Sequence, residues 1–166
     1  MKPEHWDANP QALVHLIIEA RCTYVFEFAT RAFEKNAEKE AFLAKFDLNL
    51  LLKILDAPIE ARAQFALAQI KARFQPTDIS ANHITRLFSN RHKFVRDYAL
   101  DCMAANAEAY FVNTELIAQF MTGEDQTLRQ WVGNSWAKII AVWGDEKRQV
   151  FPYPYYRFLD AVQLPL

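Results

Sequence analysis

The stretch ITRLFSNRHKFVRDYALDCM, residues 84–103, falls into two apolar halves around the polar break SNRHK. In the first half Ile84, Leu87 and Phe88 are spaced three and four apart, which puts them on one face of a helix. In the second half Val95, Tyr98, Ala99, Cys102 and Met103 keep the same spacing. The pattern predicts two short amphipathic helices joined by a tight turn, a helical hairpin.

One hairpin cannot cover its own apolar face, so copies are expected. Three further segments align with it without internal gaps: VHLIIEARCTYVFEFATRAF (14–33), LLKILDAPIEARAQFALAQI (51–70) and IAQFMTGEDQTLRQWVGNSW (117–136). The intervals are 37, 33 and 33 residues, and the first one's four extra residues fit the charged connector EKNAEKEAF. The first helices contribute the columns Val14/Leu51/Ile84/Ile117, Ile17/Ile54/Leu87/Phe120 and Ile18/Leu55/Phe88/Met121. The second helices contribute Val25/Arg62/Val95/Leu128, Phe28/Phe65/Tyr98/Trp131, Ala29/Ala66/Ala99/Val132, Ala32/Gln69/Cys102/Ser135 and Phe33/Ile70/Met103/Trp136. Only Arg62, Gln69 and Ser135 break the apolar pattern. Between the halves lie LDAPIE, FSNRHK and MTGEDQ, which are turn chemistry. Pro58 suits the first turn of a helix, Thr114 and Asp125 suit N-caps, and Asn9–Pro10 suits the opening of the first helix.

Composition agrees with an all-α chain. Among 166 residues there are only three glycines, too few for the turns of a sandwich, barrel or Rossmann fold. Apolar residues make up 52%, enough for a substantial core in one domain. The predicted organisation is a single domain over 1–166, with units at about 10–36, 47–74, 80–106 and 114–142 and a C-terminal cap at 150–166. A net charge of −1 excludes a uniformly basic coat for nucleic acid. MKPEHWDANP has no apolar signal core, and no apolar run approaches the roughly 20 residues of a membrane span. Cys22 and Cys102 have no metal or redox spacing and read as reduced thiols, so a cytoplasmic protein off the membrane is expected.

The chain resembles the HEAT-like repeat family of α-solenoids. The likeness covers residues 13–142 and rests on a first helix with LxxLL-type spacing, a turn, and a second helix reading V-R-x-aromatic-A-L, clearest in LFSNRHKFVRDYALDCM. The resemblance implies four stacked hairpins in a short right-handed curve, with first helices convex and second helices concave. It also implies a ladder between a turn Asp and an Arg at the second-helix start. Arg96 and Arg129 occupy that Arg column, Phe26 and Ala63 do not, and Asp56 is the one good turn Asp.

Enzymatic motifs are missing: there is no Gly-rich phosphate loop, HExxH, CxxC or GxSxG. His5, His15, His83 and His92 are scattered, so no metal or other cofactor is expected. The basic run Arg86, Arg91, His92, Lys93, Arg96 could meet phosphates at a groove rim, or be a solvated turn beside Asp97 and Asp101. Asp97 and Asp101, four apart, share a helix face and would need burial to act as an acid/base pair. Trp131 and Trp136 fall in core columns, which argues against a base-stacking platform. HEAT-like alkylpurine DNA glycosylases place tryptophans and an aspartate on a basic concave face, and the likeness to them stops at architecture. The segment VFPYPYYRFLDAVQLPL (150–166) breaks the repeat and is expected to fold over the last unit, as Trp6 is over the first.

The function expected from these readings is a non-enzymatic scaffold whose second helices present a groove to a protein or peptide. Its candidate contacts are Arg31, Asp97, Asp101, Gln130, Asn134 and Lys138. The alternatives are a nucleic-acid-binding HEAT-like protein, of the DNA-repair kind, using Arg86, Arg91, Lys93 and Arg96, or a structural segment of a larger protein.

Overall fold

The computed structural model describes residues 10–123 and 125–148, with side chains as far as residue 143. The described residues form ten α-helices and one 3-10 turn, with no strand among them. We number the helices α1 (Pro10–Glu19), α2 (Thr23–Glu34), α3 (Lys39–Leu43), α4 (Leu48–Leu55), α5 (Glu60–Arg73), α6 (Ala81–Phe88), α7 (Lys93–Ala105), α8 (Ala107–Phe111), α9 (Thr114–Thr122) and α10 (Gln126–Arg148). The 3-10 turn is Pro76–Asp78.

Four antiparallel pairs dominate the packing: α1 on α2, α4 on α5, α6 on α7 and α9 on α10. The second helix of each pair begins at Thr23, Glu60, Lys93 and Gln126, so the starts recur at the 37-, 33- and 33-residue intervals of the aligned segments. The N-caps of the later first helices recur too. Asp47, Ser80 and Asn113 are spaced by 33 residues, and each side chain accepts the backbone N–H three residues on, from Leu50 (2.7 Å), His83 (3.4 Å) and Leu116 (2.9 Å). Each such bond satisfies a donor that the helix start would otherwise leave unpaired. Thr114 is therefore the first helical residue and Asn113 is the cap, because the Asn carbonyl reaches the third N–H. Asp125 does cap α10, accepting from Thr127 and Leu128. Pro58 stands in the turn two residues before α5 begins rather than in its first turn.

The core runs through all four pairs. Leu51, Ile54, Ile84, Leu87 and Ile117 are sealed on the first helices, and Ala66, Ile70, Ala99, Met103 and Val132 on the second. Burying a leucine or isoleucine side chain contributes about 1.5–3 kcal/mol, so this stripe is what holds the hairpins shut. The first hairpin departs from the predicted columns. Leu13 is sealed and Val14 only half-buried; Phe26, Ala29 and Phe33 face inward while Val25 and Phe28 are exposed. The last helix also exceeds the expected length. It runs for 23 residues, and its extra turns bury Ile139 and Trp143, with Trp143 packed edge-on against Trp136.

Successive hairpins are joined by side chains that cap carbonyls of their neighbours. Arg62 of α5 donates to the carbonyls of Ile18 and Ala20 (2.7 Å to the latter) at the end of α1. Asn90 donates to Leu55 O (3.1 Å) and Asp56 Oδ1 (3.2 Å), and the His92 ring nitrogen lies 3.1 Å from Ala57 O. The connector helices are tied the same way. Arg73 reaches Leu43 O (2.6 Å), Tyr110 reaches Ile79 O (2.6 Å), and the Trp143 indole reaches Phe111 O. Helix C-termini leave carbonyls without intrahelical partners, and here the next unit supplies the donors.

Candidate functional site

The second helices carry a recurring solvent-facing pattern. Counted in the repeat register, Glu27, Gln64, Asp97 and Gln130 occupy one column; Arg31, Ala68, Asp101 and Asn134 occupy the next, one turn on; Lys35, Ala72, Ala105 and Lys138 follow. All of them are exposed except the half-buried Glu27. Positions four apart lie one above another on a helix, so each second helix shows solvent one stripe opposite its buried face. The six candidate contacts read from the sequence all fall in these columns: Arg31 on α2, Asp97 and Asp101 on α7, and Gln130, Asn134 and Lys138 on α10.

The stripe carries mixed charge, interrupted by the exposed Ala68, Ala72 and Ala105. Arg31 pairs within its own helix with Glu27 at 3.6 Å. Lys93 holds both oxygens of Asp97, at 2.9 and 2.7 Å. Both are exposed pairs, individually worth well under about 1 kcal/mol. Asp97 and Asp101 are both exposed, one turn apart on α7. Neighbouring second helices are in contact along part of the array: α2 packs on α5, and Lys71 of α5 sits 5.1 Å above the Tyr98 ring of α7. Between α7 and α10 the short helix α8 intervenes, packing against both.

The basic run is built into the turns. Arg86 makes a forked contact with Asp56 of the preceding unit, at 2.8 Å from Nε and 2.6 Å from Nη2. Lys93 is held by Asp97, and Arg96 donates to the carbonyls of Asn90 (2.9 Å) and Arg91 (3.0 Å). Arg91 is exposed beside them. The Asp–Arg ladder implied by the family resemblance takes another form here. Asp56 meets Arg86 of the next first helix, while Arg96 and Arg129 turn back onto the carbonyls of their own turns. A guanidinium six residues after a turn reaches its own helix-end carbonyls more directly than a neighbour's carboxylate.

Trp131 and Trp136 are half-buried against the core, Trp131 meeting the rings of Phe111 (5.5 Å) and Phe120 (6.4 Å). Trp136 meets the Trp143 ring at 5.9 Å. Among the described residues no cluster of His, Cys, Asp and Glu could hold a metal ion. Among them also, no helix is long and apolar enough to cross a membrane. The cap at 150–166, Trp6 and His5 lie outside the described residues.

The repeat columns did not assign a role to two further features. Arg62 is one: it stands in an apolar column, and burial lowers its pKa while Glu19 opposes the shift. An open cleft between α3 and α5, lined by Lys39, Glu40, Gln69 and Arg73, is another. Its cations are engaged, Arg73 on the Leu43 carbonyl and Lys39 with Glu40 at 3.6 Å. No protein-family model, curated protein or solved structure matches the chain.

Proposed function

We propose that the protein is a non-enzymatic interaction scaffold, a HEAT-like array of hairpins whose second helices present their solvent-facing stripe to a protein or peptide. The observation that carries the reading is a solvent-facing stripe at the same register positions of the second helices, polar throughout in the Glu27/Gln64/Asp97/Gln130 column and richest in polar residues on α2 and α10, opposite the buried core. A surface repeated on a rigid stack suits recognition of an extended or helical segment, because repeats hold contact residues at regular spacing. Mixed charge favours a polar, specific partner over a uniform polyanion. The basic run gives the nucleic-acid reading less support, since Arg86 is held by Asp56 and Arg96 by the carbonyls of Asn90 and Arg91.

Site-specific photo-crosslinking tests it. A photoreactive residue at Asp101 or Asn134 is expected to yield a discrete adduct in cells, and one at Glu115 or Gln119 on the first helix of the fourth hairpin is not. Equal labelling from both faces, or none from the stripe, overturns the reading.

A further inference from the structure

The first connector departs from the repeat, and the departure makes a cleft. The second-helix starts are 37 residues apart there against 33 later, and the longer connector between α2 and α4 holds the short helix α3. Between α3 and α5 lies an open cleft of 460 Å³, lined by Lys39, Glu40, Leu43, Gln69, Ala72 and Arg73. Insertions into a repeat array fall in loops on one face, commonly the face that binds. Ala72 also belongs to the solvent-facing column Lys35/Ala72/Ala105/Lys138, so the cleft adjoins the stripe at the second hairpin.

The lining has a positive side and an apolar side. Arg73 donates from Nη1 to Leu43 O at 2.6 Å and from Nη2 to Ala44 O at 3.3 Å. These neutral carbonyls fix the guanidinium without cancelling its charge, and among the described residues no carboxylate pairs with it. Lys39 Nζ lies 3.6 Å from Glu40 Oε1, on a side chain 84% exposed, and a contact so open to water contributes little and gives way readily to a better-placed anion. The Gln69 amide adds a neutral donor, and Leu43, Ala44 and Ala72 supply the apolar side.

We infer that this cleft takes an acidic side chain of the stripe's protein partner, an aspartate or glutamate with apolar neighbours, its carboxylate between Lys39 and Arg73. The inference rests on the scaffold reading for the rest of the contact. An open cleft covers too little of a small molecule to hold it alone, so the occupant belongs to a larger partner. Glu40 on the same rim repels a run of acids, so a single carboxylate fits and a polyanion does not.

The whole chain, labelled with ¹⁵N, is titrated at low salt with the peptide acetyl-Ala-Leu-Asp-Leu-Ala-amide and with its Asn counterpart. The Asp peptide is expected to move the amide signals of Gln69, Ala72 and Arg73 with a Kd on the order of 1 mM, and the Asn peptide to bind about tenfold more weakly. Lys39→Glu, and Gln69→Glu as a shape-conserving second variant, should each weaken the Asp peptide about tenfold at an unchanged melting temperature. Arg73 is left in place because it also ties α3 to α5. Equal responses to the two peptides overturn the inference, as do inorganic sulfate moving the same signals as strongly and no movement up to about 20 mM peptide. The titration needs no partner, while crosslinking from Asp101 and Asn134 reports on the stripe, so failure of the cleft and failure of the scaffold reading are told apart.

Discussion

The side-chain amide of Asn90 donates to the backbone carbonyl of Leu55 across 3.1 Å, inside the seam between the second and third hairpins. The same side chain accepts the N–H of His92 (3.0 Å) and also reaches Asp56, so one buried residue closes its own turn and caps the neighbouring helix. Its exposure is only 6%. Replacing it by alanine removes these bonds and leaves a carbonyl and an amide unpaired away from water. Asn90→Ala should therefore destabilise the protein by about 2–3 kcal/mol, read as a lower urea midpoint with an unchanged slope. A cost below about 0.5 kcal/mol would show that water satisfies the seam unaided.

The N-caps Asp47, Ser80 and Asn113 each serve one N–H from the same register position. Alanine at any one of them should cost about 1 kcal/mol, the usual loss when such a cap is removed. The Ser80 variant has a second consequence. The His83 ring accepts the Ser80 N–H at 3.3 Å, completing a reciprocal box, and burial together with nearby Arg86 lowers the His83 pKa. A group whose folded pKa is lowered binds its proton more weakly in the native state. The stability it contributes is present above its unfolded pKa and is lost as pH falls through the ordinary histidine range towards the lowered value. His83→Asn should remove that part of the acid dependence, measured as the urea midpoint between pH 5 and pH 8.

Much of this was readable beforehand. The 33-residue period located the second-helix starts, because apolar spacing of three and four marks one helical face whatever the sequence between. The cap column Asp47/Ser80/Asn113 follows the same period, and Thr114 is a capping residue type that stands one position inside its helix because Asn113 already holds the Leu116 N–H. The shifted register of the first hairpin, with Phe26 inward and Val25 outward, was not legible from the columns, since the alignment assumes that each unit turns the same residues to the core. Arg62 and Trp143 were hidden for another reason: each satisfies a carbonyl more than thirty residues away, and sequence does not show where a helix end will meet a donor. The stripe residues could be placed on their helices, but not the interposed α8, whose five residues are too short for a periodic signal.

Gly133 lies within α10, and a Cβ built on it would meet nothing within 4 Å. Glycine inside a helix loses more backbone freedom on folding than alanine does. Gly133→Ala should accordingly stabilise the protein by about 0.5–1 kcal/mol, seen as a higher melting temperature. No gain, or a loss, would mean that the helix needs a close approach at this point that the isolated chain does not show.

Tyr110 is buried to 2% exposure with its hydroxyl donating to the Ile79 carbonyl at 2.6 Å. Ionising it would strip that donor and place a charge in the core, so burial pushes its pKa up to about 12. Burial raises the pKa of Tyr98 as well. In the unfolded chain these phenols lose their protons near pH 10, earlier than in the native state, so the unfolded form gains as alkali is added. Their contribution is fully present below about pH 10 and declines above it. Tyr110→Phe should lower the neutral-pH stability by about 1–2 kcal/mol, because the Ile79 carbonyl loses its partner. The same variant should lose less than the parent between pH 10 and pH 12, since one of the groups linked to alkali is gone while Tyr98 and Cys102, both raised by burial, remain. Urea titrations of both proteins across that range give the two slopes, and parallel slopes would show that Tyr110 ionises in the folded state as freely as in water.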